Sequence, residues 1–275
     1  MDFCQGYSET EIAYYDKGDK SSPVFLFIHG FSQSSLCWKY QFSSDLLSKF
    51  RLIFIDMRGH GASGKPQYPD AYNNYIPFAH DINAVIRKLD LKNIVPVCWS
   101  MGGNWICDYL RKFDQDKLKG IIMVGATTQQ GTPITEKFFG KGAIDNLNNL
   151  FNPDIKINIE ATRSFIYACR SGKYKQKDFE DILSYNMIVT PKIRQWVLSR
   201  VSDNSDIIQN LNIPFLQIHG EEDRVVLPFA GDFTFNQVKH DNKKMKLYRG
   251  VGHSPFIENP YIFNKDLENF ASEVF

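Results

Sequence analysis

The stretch VPVCWSMGG, Val95 to Gly103, runs an apolar, β-prone segment straight into an amphipathic helical pattern, with Ser100 at the hinge. Serine is a poor helix former, and Ser100 has no apolar or capping duty to explain it. A strand-to-helix turn this tight strains its apex residue and thrusts that side chain outward. The residues two before and two after the apex must be small, because the two backbones nearly touch there. Gly102 meets that need and Gly103 relieves the next position. Cys98 stands where the usual G-x-S-x-G pattern has its first glycine. Cysteine is compact, so the turn is expected to survive, with Cys98 a small buried thiol rather than a redox or acyl-transfer group.

Working outward, short apolar runs alternate with longer helical patterns. Val24–Gly30 (VFLFIHG), Arg51–Gly59 (RLIFIDMRG), Asn93–Trp99, Leu118–Ala126, Ile213–Gly220 and Lys244–Gly250 read as strands. Their apolar residues are continuous rather than alternating, as in parallel strands covered on both faces. Tyr75–Leu89 and Gly102–Phe113 carry apolar residues at helical spacing. The alternation predicts βαβ crossovers and an α/β fold, a mostly parallel central sheet flanked by helices. A hairpin around Tyr7 to Tyr15 is expected to add antiparallel strands at one edge. Between Gly131 and Ser205 the rhythm stops, leaving helical pieces rich in aromatics. An insertion of that length is expected to form a helical cap, or lid, over a site. The division is therefore a core of residues 1–130 and 206–275 with a cap of 131–205.

A serine hydroxyl needs a base within hydrogen-bond reach, itself oriented by an acid. Downstream of Ser100, Asp223 follows the strand FLQIHG, and His253 follows the last strand within GVGHSPF. All three fall just past strand C-termini, the edge where open α/β sheets place their sites. Glu221 and Glu222 lie near enough to replace Asp223 if the loop register slips. Asp56 precedes the nucleophile and is expected to hold the Arg58-Gly59 turn, while Asp108 is expected in solvent or at a helix interface. His29, His60 and His219 read as loop braces, and His80 and His240 have no supporting context. Closing the first core strand, Phe31 offers a backbone N–H that, with that of Met101, would form an oxyanion hole.

These motifs, IHGF, DMRGHGAS, CWSMGG, HGEEDRVV and GVGHSPF, resemble the α/β-hydrolase superfamily from about Phe25 to the C-terminus. The resemblance is to its small-molecule esterase and non-haem haloperoxidase-like branch. It implies Ser100 as nucleophile, His253 as base, Asp223 as orienting acid and Phe31 and Met101 as oxyanion donors. It does not transmit a substrate. Trp99, Phe138, Phe139, Met187 and Val225 are the expected pocket residues. Hydrolysis of small carboxylic esters is the leading expectation. C–C bond hydrolase, thioesterase, lactonase or perhydrolase chemistry on the same triad remains open, as does a ligand-binding protein without turnover.

Composition bounds the rest. With 32 basic against 31 acidic residues, there is no global field to attract nucleic acid or anionic lipid. The five cysteines are scattered without a CxxC pair or metal-ligand spacing, so neither disulfides nor a metal is expected, and no cofactor. MDFCQGYSETE has an early acid and no apolar core, so no signal peptide is expected. No apolar run nears the roughly 20 residues that span a bilayer. A cytoplasmic protein acting on a small-molecule ester is expected; oligomeric state is left open.

Overall fold

The computed structural model describes residues 1–275. Ten strands are present: β1 Asp2–Gln5, β2 Glu11–Lys17, β3 Val24–Ile28, β4 Arg51–Ile55, β5 Ile94–Trp99, β6 Ile121–Val124, β7 Gln129–Gln130, β8 Ser202–Asp203, β9 Phe215–Gly220 and β10 Lys243–Tyr248. Eight form one sheet in the order β1-β2-β4-β3-β5-β6-β9-β10. From β4 to β10 every neighbouring pair is parallel, and β1 and β2 join antiparallel at one edge. The expected hairpin is present, but it pairs Asp2 with Tyr14, and Tyr7–Glu9 forms its connecting turn.

The apolar strands split their side chains between two cores. Leu26, Ile28, Ile53 and Ile55 join one, and Phe25, Phe27, Leu52 and Phe54 the other. Such period-two sharing is what a sheet covered on both faces requires. Helices Tyr75–Lys88 and Gly102–Lys112 follow the sequence expectation within a residue. Edge strand β10 departs from the apolar pattern. Its lysines leave one flank in solvent, where charge discourages pairing with another chain. β6 is shorter than its apolar run because the chain turns at Gly125 into the loop above the sheet.

The chain leaves β3 for β4 on one side and then returns to β5 on the other. That reversal is the switch point where open α/β sheets form a crevice. Phe31 follows β3 and Ser100 follows β5, one on each side of it. Between β7 and β8 the chain forms helices and no strand, chief among them Ile155–Ala168, Gln176–Met187 and Pro191–Leu198. β7 and β8 pair antiparallel and close the base of this insertion.

Candidate active site

Ser100 has φ +54°, in the left-handed region, a conformation that costs a non-glycine residue about 1–3 kcal/mol. The turn is held by its neighbours. Ser100 N–H donates to Val124 O at 3.0 Å, and its carbonyl accepts from Gly103 N–H at 3.0 Å. A Cβ on Gly102 would stand 2.7 Å from Ile28 O, so only glycine lets the helix start this close to β3. Cys98 is fully buried within the core, and burial pushes its thiol well up, away from the reactive thiolate form.

Asp223 and His253 meet at the same sheet edge. His253 Nδ1–H donates to Asp223 Oδ2 at 2.6 Å. The other carboxylate oxygen accepts the N–H groups of Val225 and Val226, each at 2.9 Å. His219 Nε2 lies 3.3 Å from Asp223 Oδ2 and also reaches Val226 O at 2.8 Å. Burial alone would raise the Asp223 carboxyl, but the imidazoles of His253 and His219 hold it down at about 2. Trp99, next to Ser100, donates its indole N–H to His253 O at 2.8 Å and so ties the His253 loop to the elbow. His253 Nε2 has no partner within the protein, Ser100 Oγ included.

Beside Ser100 is an apolar cavity of about 240 Å³ lined by Phe31, Met101, Leu150, Phe165 and Val225 among others. The backbone N–H groups of Phe31 and Met101 both lack an acceptor within the protein. Of the expected pocket residues, Phe139 and Val225 line this cavity. Trp99, Phe138 and Met187 do not. Trp99 lies under His253 with its ring centroid 5.3 Å away. Phe138 is fully buried against Phe229 and Phe233, and Met187 ends its helix away from the cavity. The wall instead includes Leu147, Leu150, Phe165 and Leu198. Apolar spacing in the insertion marked helices but gave no sign of which face would meet the cavity.

Other polar residues have structural work. His29 Nδ1–H donates to Gly30 O at 2.7 Å while Nε2 accepts from Met57 N–H at 3.0 Å. His60 Nδ1–H donates to Arg58 O at 2.9 Å while Nε2 accepts from Ser32 N–H at 3.2 Å. Each ring is thereby fixed as one neutral tautomer, and burial pulls their pKa values to about 4 and about 3. Asp56 accepts from Ser35 N–H at 2.6 Å and Ala62 N–H at 2.8 Å, bracing its loop. Arg58 instead forms a buried bidentate pair with Asp81 at 2.6 and 2.8 Å. Asp108 is not in solvent. It is buried and pairs with Arg200, at the foot of the insertion, at 2.6 and 2.7 Å.

The chain belongs to the α/β-hydrolase fold family, whose model matches residues 23–260. It is 26% identical to a non-heme chloroperoxidase of Kitasatospora aureofaciens, over 99% of this chain and 100% of that one. Against a bifunctional esterase/perhydrolase of Acinetobacter calcoaceticus it is also 26% identical, over 94% and 95%. An esterase from Rhodococcus sp. ECU1013 superposes with a TM-score of 0.93 at 28% identity, over 100% of this chain and 99% of that one.

Proposed function

We propose that this hydrolase cleaves small, mostly apolar carboxylic esters through an acyl-enzyme on Ser100, with His253 as base and Asp223 as its anchor. One observation carries the reading. A strained serine, a carboxylate-held imidazole and two unpaired N–H groups on one cavity wall converge at a single sheet edge. Ser100 Oγ attacks the ester carbonyl while His253 Nε2 takes its proton, with Nδ1–H still bonded to Asp223. The developing oxyanion accepts from Phe31 and Met101 N–H, each worth about 3–4 kcal/mol in such sites. His253 then protonates the leaving alcohol, and water repeats the cycle on the acyl group. The serine–imidazole hydrogen bond is one that commonly tightens only with substrate in place.

The apolar lining suits a short or medium acyl chain or a small aromatic acyl group. The insertion, residues 131–205, acts as the cap that supplies most of this wall, on a core of 1–130 and 206–275. Five free, buried cysteines suit a reducing, cytoplasmic setting. Turnover of p-nitrophenyl acetate and butyrate by wild type and Ser100→Ala is the test. The alanine variant should lose nearly all activity and all fluorophosphonate labelling. Retained turnover sinks the mechanism, and an unlabelled, inactive wild type supports ligand binding without catalysis.

Perhydrolysis is a second reading, favoured by the relatives named chloroperoxidase and esterase/perhydrolase. Hydrogen peroxide would replace water in attacking the acyl-enzyme, releasing a peracid and returning the Ser100 hydroxyl. Peracid should then accumulate from acetate esters and peroxide with wild type and not with Ser100→Ala.

A further inference from the structure

Arg194, in the helix Pro191–Leu198, is fully buried and forms no ion pair. Its Nε donates to Ser32 Oγ at 2.9 Å. One terminal nitrogen donates to Asn158 Oδ1 and Thr162 Oγ1, each at 3.1 Å, and to Leu150 O at 3.4 Å. The other donates to Asn186 O at 2.7 Å. Burial lowers the guanidinium pKa to about 10, which leaves it charged at neutral pH. A buried cation met only by neutral acceptors is a costly way to join helices, and apolar side chains of similar volume often do that task as well or better. The choice of an arginine calls for another reason.

The partners supply one. Leu150 lines the cavity, and so does Phe165, on the helix that carries Asn158 and Thr162. Ser32 directly follows Phe31. It has φ +60°, and its N–H donates to His60 Nε2 at 3.2 Å. Ser32 is therefore held by its backbone from the core side and by its hydroxyl from the insertion. Fixing it at both ends restrains the chain immediately upstream, the Gly30–Phe31 peptide included, whose Phe31 N–H has no acceptor within the protein.

We infer that Arg194 is a positioning residue that clamps the Ser32 turn from the insertion and aims the Phe31 N–H at the oxyanion. The geometry of the hole then depends on the insertion being seated. This rests on the reading of Ser100 as nucleophile and Phe31 as donor. A donor displaced by a fraction of an ångström loses transition-state stabilisation while leaving ester binding nearly intact.

The test uses Arg194→Met, Arg194→Lys and Ser32→Ala with p-nitrophenyl butyrate, plus amide hydrogen exchange at Phe31–Gln33. Arg194→Met should lower kcat about tenfold or more with KM changed less than about threefold. Affinity for a boronic acid that mimics the tetrahedral adduct should fall by a similar factor. Arg194→Lys should recover part of both, and Ser32→Ala should lower kcat in the same direction. A folded Arg194→Met enzyme with wild-type kcat, or one altered in KM alone, overturns the inference. If Arg194→Met does not fold, Ser32→Ala decides, and unchanged kcat in that variant overturns it. Hydrogen exchange separates this inference from the functional reading, because it needs no turnover. Should wild type cleave no ester, the reading falls, while exchange at Ser32 must still quicken in Arg194→Met or the clamp falls too.

Discussion

Gly125 lies so close to His253 that an added methyl would press on the imidazole. A Cβ on Gly125 would stand 3.1 Å from His253 Nδ1 and 3.2 Å from Asp223 Oδ2. Gly125 also has φ +48°, so it meets a backbone demand and a packing demand together. Gly125→Ala should cost about 1–2 kcal/mol from the backbone alone. It should also lower kcat about tenfold or more by shifting the imidazole. Urea unfolding and ester kinetics on the same preparation check both, and a stability loss with unchanged kcat would show that the pair tolerates the methyl.

Asp223 is a fixed anion: two N–H groups hold one oxygen, and an imidazole N–H meets the other. Its folded pKa of about 2 lies below the ordinary carboxylate value, so it is ionised throughout the neutral range. On the proposed mechanism, Asp223→Asn keeps the shape and removes the charge that would steady His253 as it gains a proton. A loss in kcat of up to about 10⁴-fold is expected, by analogy with other serine triads. Stopped-time assays of p-nitrophenyl butyrate measure it. A loss below about tenfold would mean that a neighbouring carboxylate, Glu221 or Glu222, supplies the charge instead.

The sheet was legible in the sequence because its inner parallel strands are largely apolar runs ended by a turn residue, as with VFLFIHG and FLQIHG. The elbow and the loops bearing Asp223 and His253 were legible because small residues and acids recur at strand ends. The cavity wall was not. Leu147, Leu150 and Leu198 become a wall only through the packing of separate helices. Large apolar side chains in the insertion therefore misdirected the choice to Phe138 and Met187, and strand-end position did the same for Trp99. Arg194 gave no signal at all, because a lone basic residue in a helical pattern reads as solvated surface.

Ala143 lines the cavity beside Ile144 and Leu147. Replacing it with phenylalanine would fill space that a longer acyl chain would occupy. Ala143→Phe should lower kcat/KM for hexanoate or octanoate esters about tenfold or more while leaving acetate within about threefold. A chain-length series of p-nitrophenyl esters checks it. Equal losses across the series would place the acyl chain elsewhere.

Arg200 joins the foot of the insertion to Asp108 on the helix that starts at the elbow. Both side chains are buried, so removing one leaves a charge without a partner. Arg200→Met should cost about 3–5 kcal/mol, and the double variant Asp108→Leu with Arg200→Met should recover much of that loss. Urea midpoints for the two variants decide. A double variant no more stable than the single would mean that the pair holds the fold through its hydrogen bonds rather than through charge balance.

His29 and His60 make the fold acid-sensitive. Their folded pKa values, about 4 and about 3, lie below the ordinary imidazole value of 6.5, so the unfolded chain takes up protons that the folded one refuses. Their stabilisation is full above about pH 6.5 and falls as pH drops toward 4, by about 1.4 kcal/mol per histidine per pH unit. Asp223 releases its share only at lower pH, as the medium falls toward its own folded value of about 2. Asp108 works the other way in the histidine window, because burial pushes its carboxyl up to about 6 and the folded state holds that proton more tightly. The useful readout is therefore the difference between wild type and His60→Asn. The variant should be less stable at neutral pH, having lost the Arg58 and Ser32 hydrogen bonds, but its urea midpoint should fall less steeply between about pH 6.5 and 4.5. Parallel slopes would show that His60 takes up its proton in the folded protein as readily as in the unfolded chain.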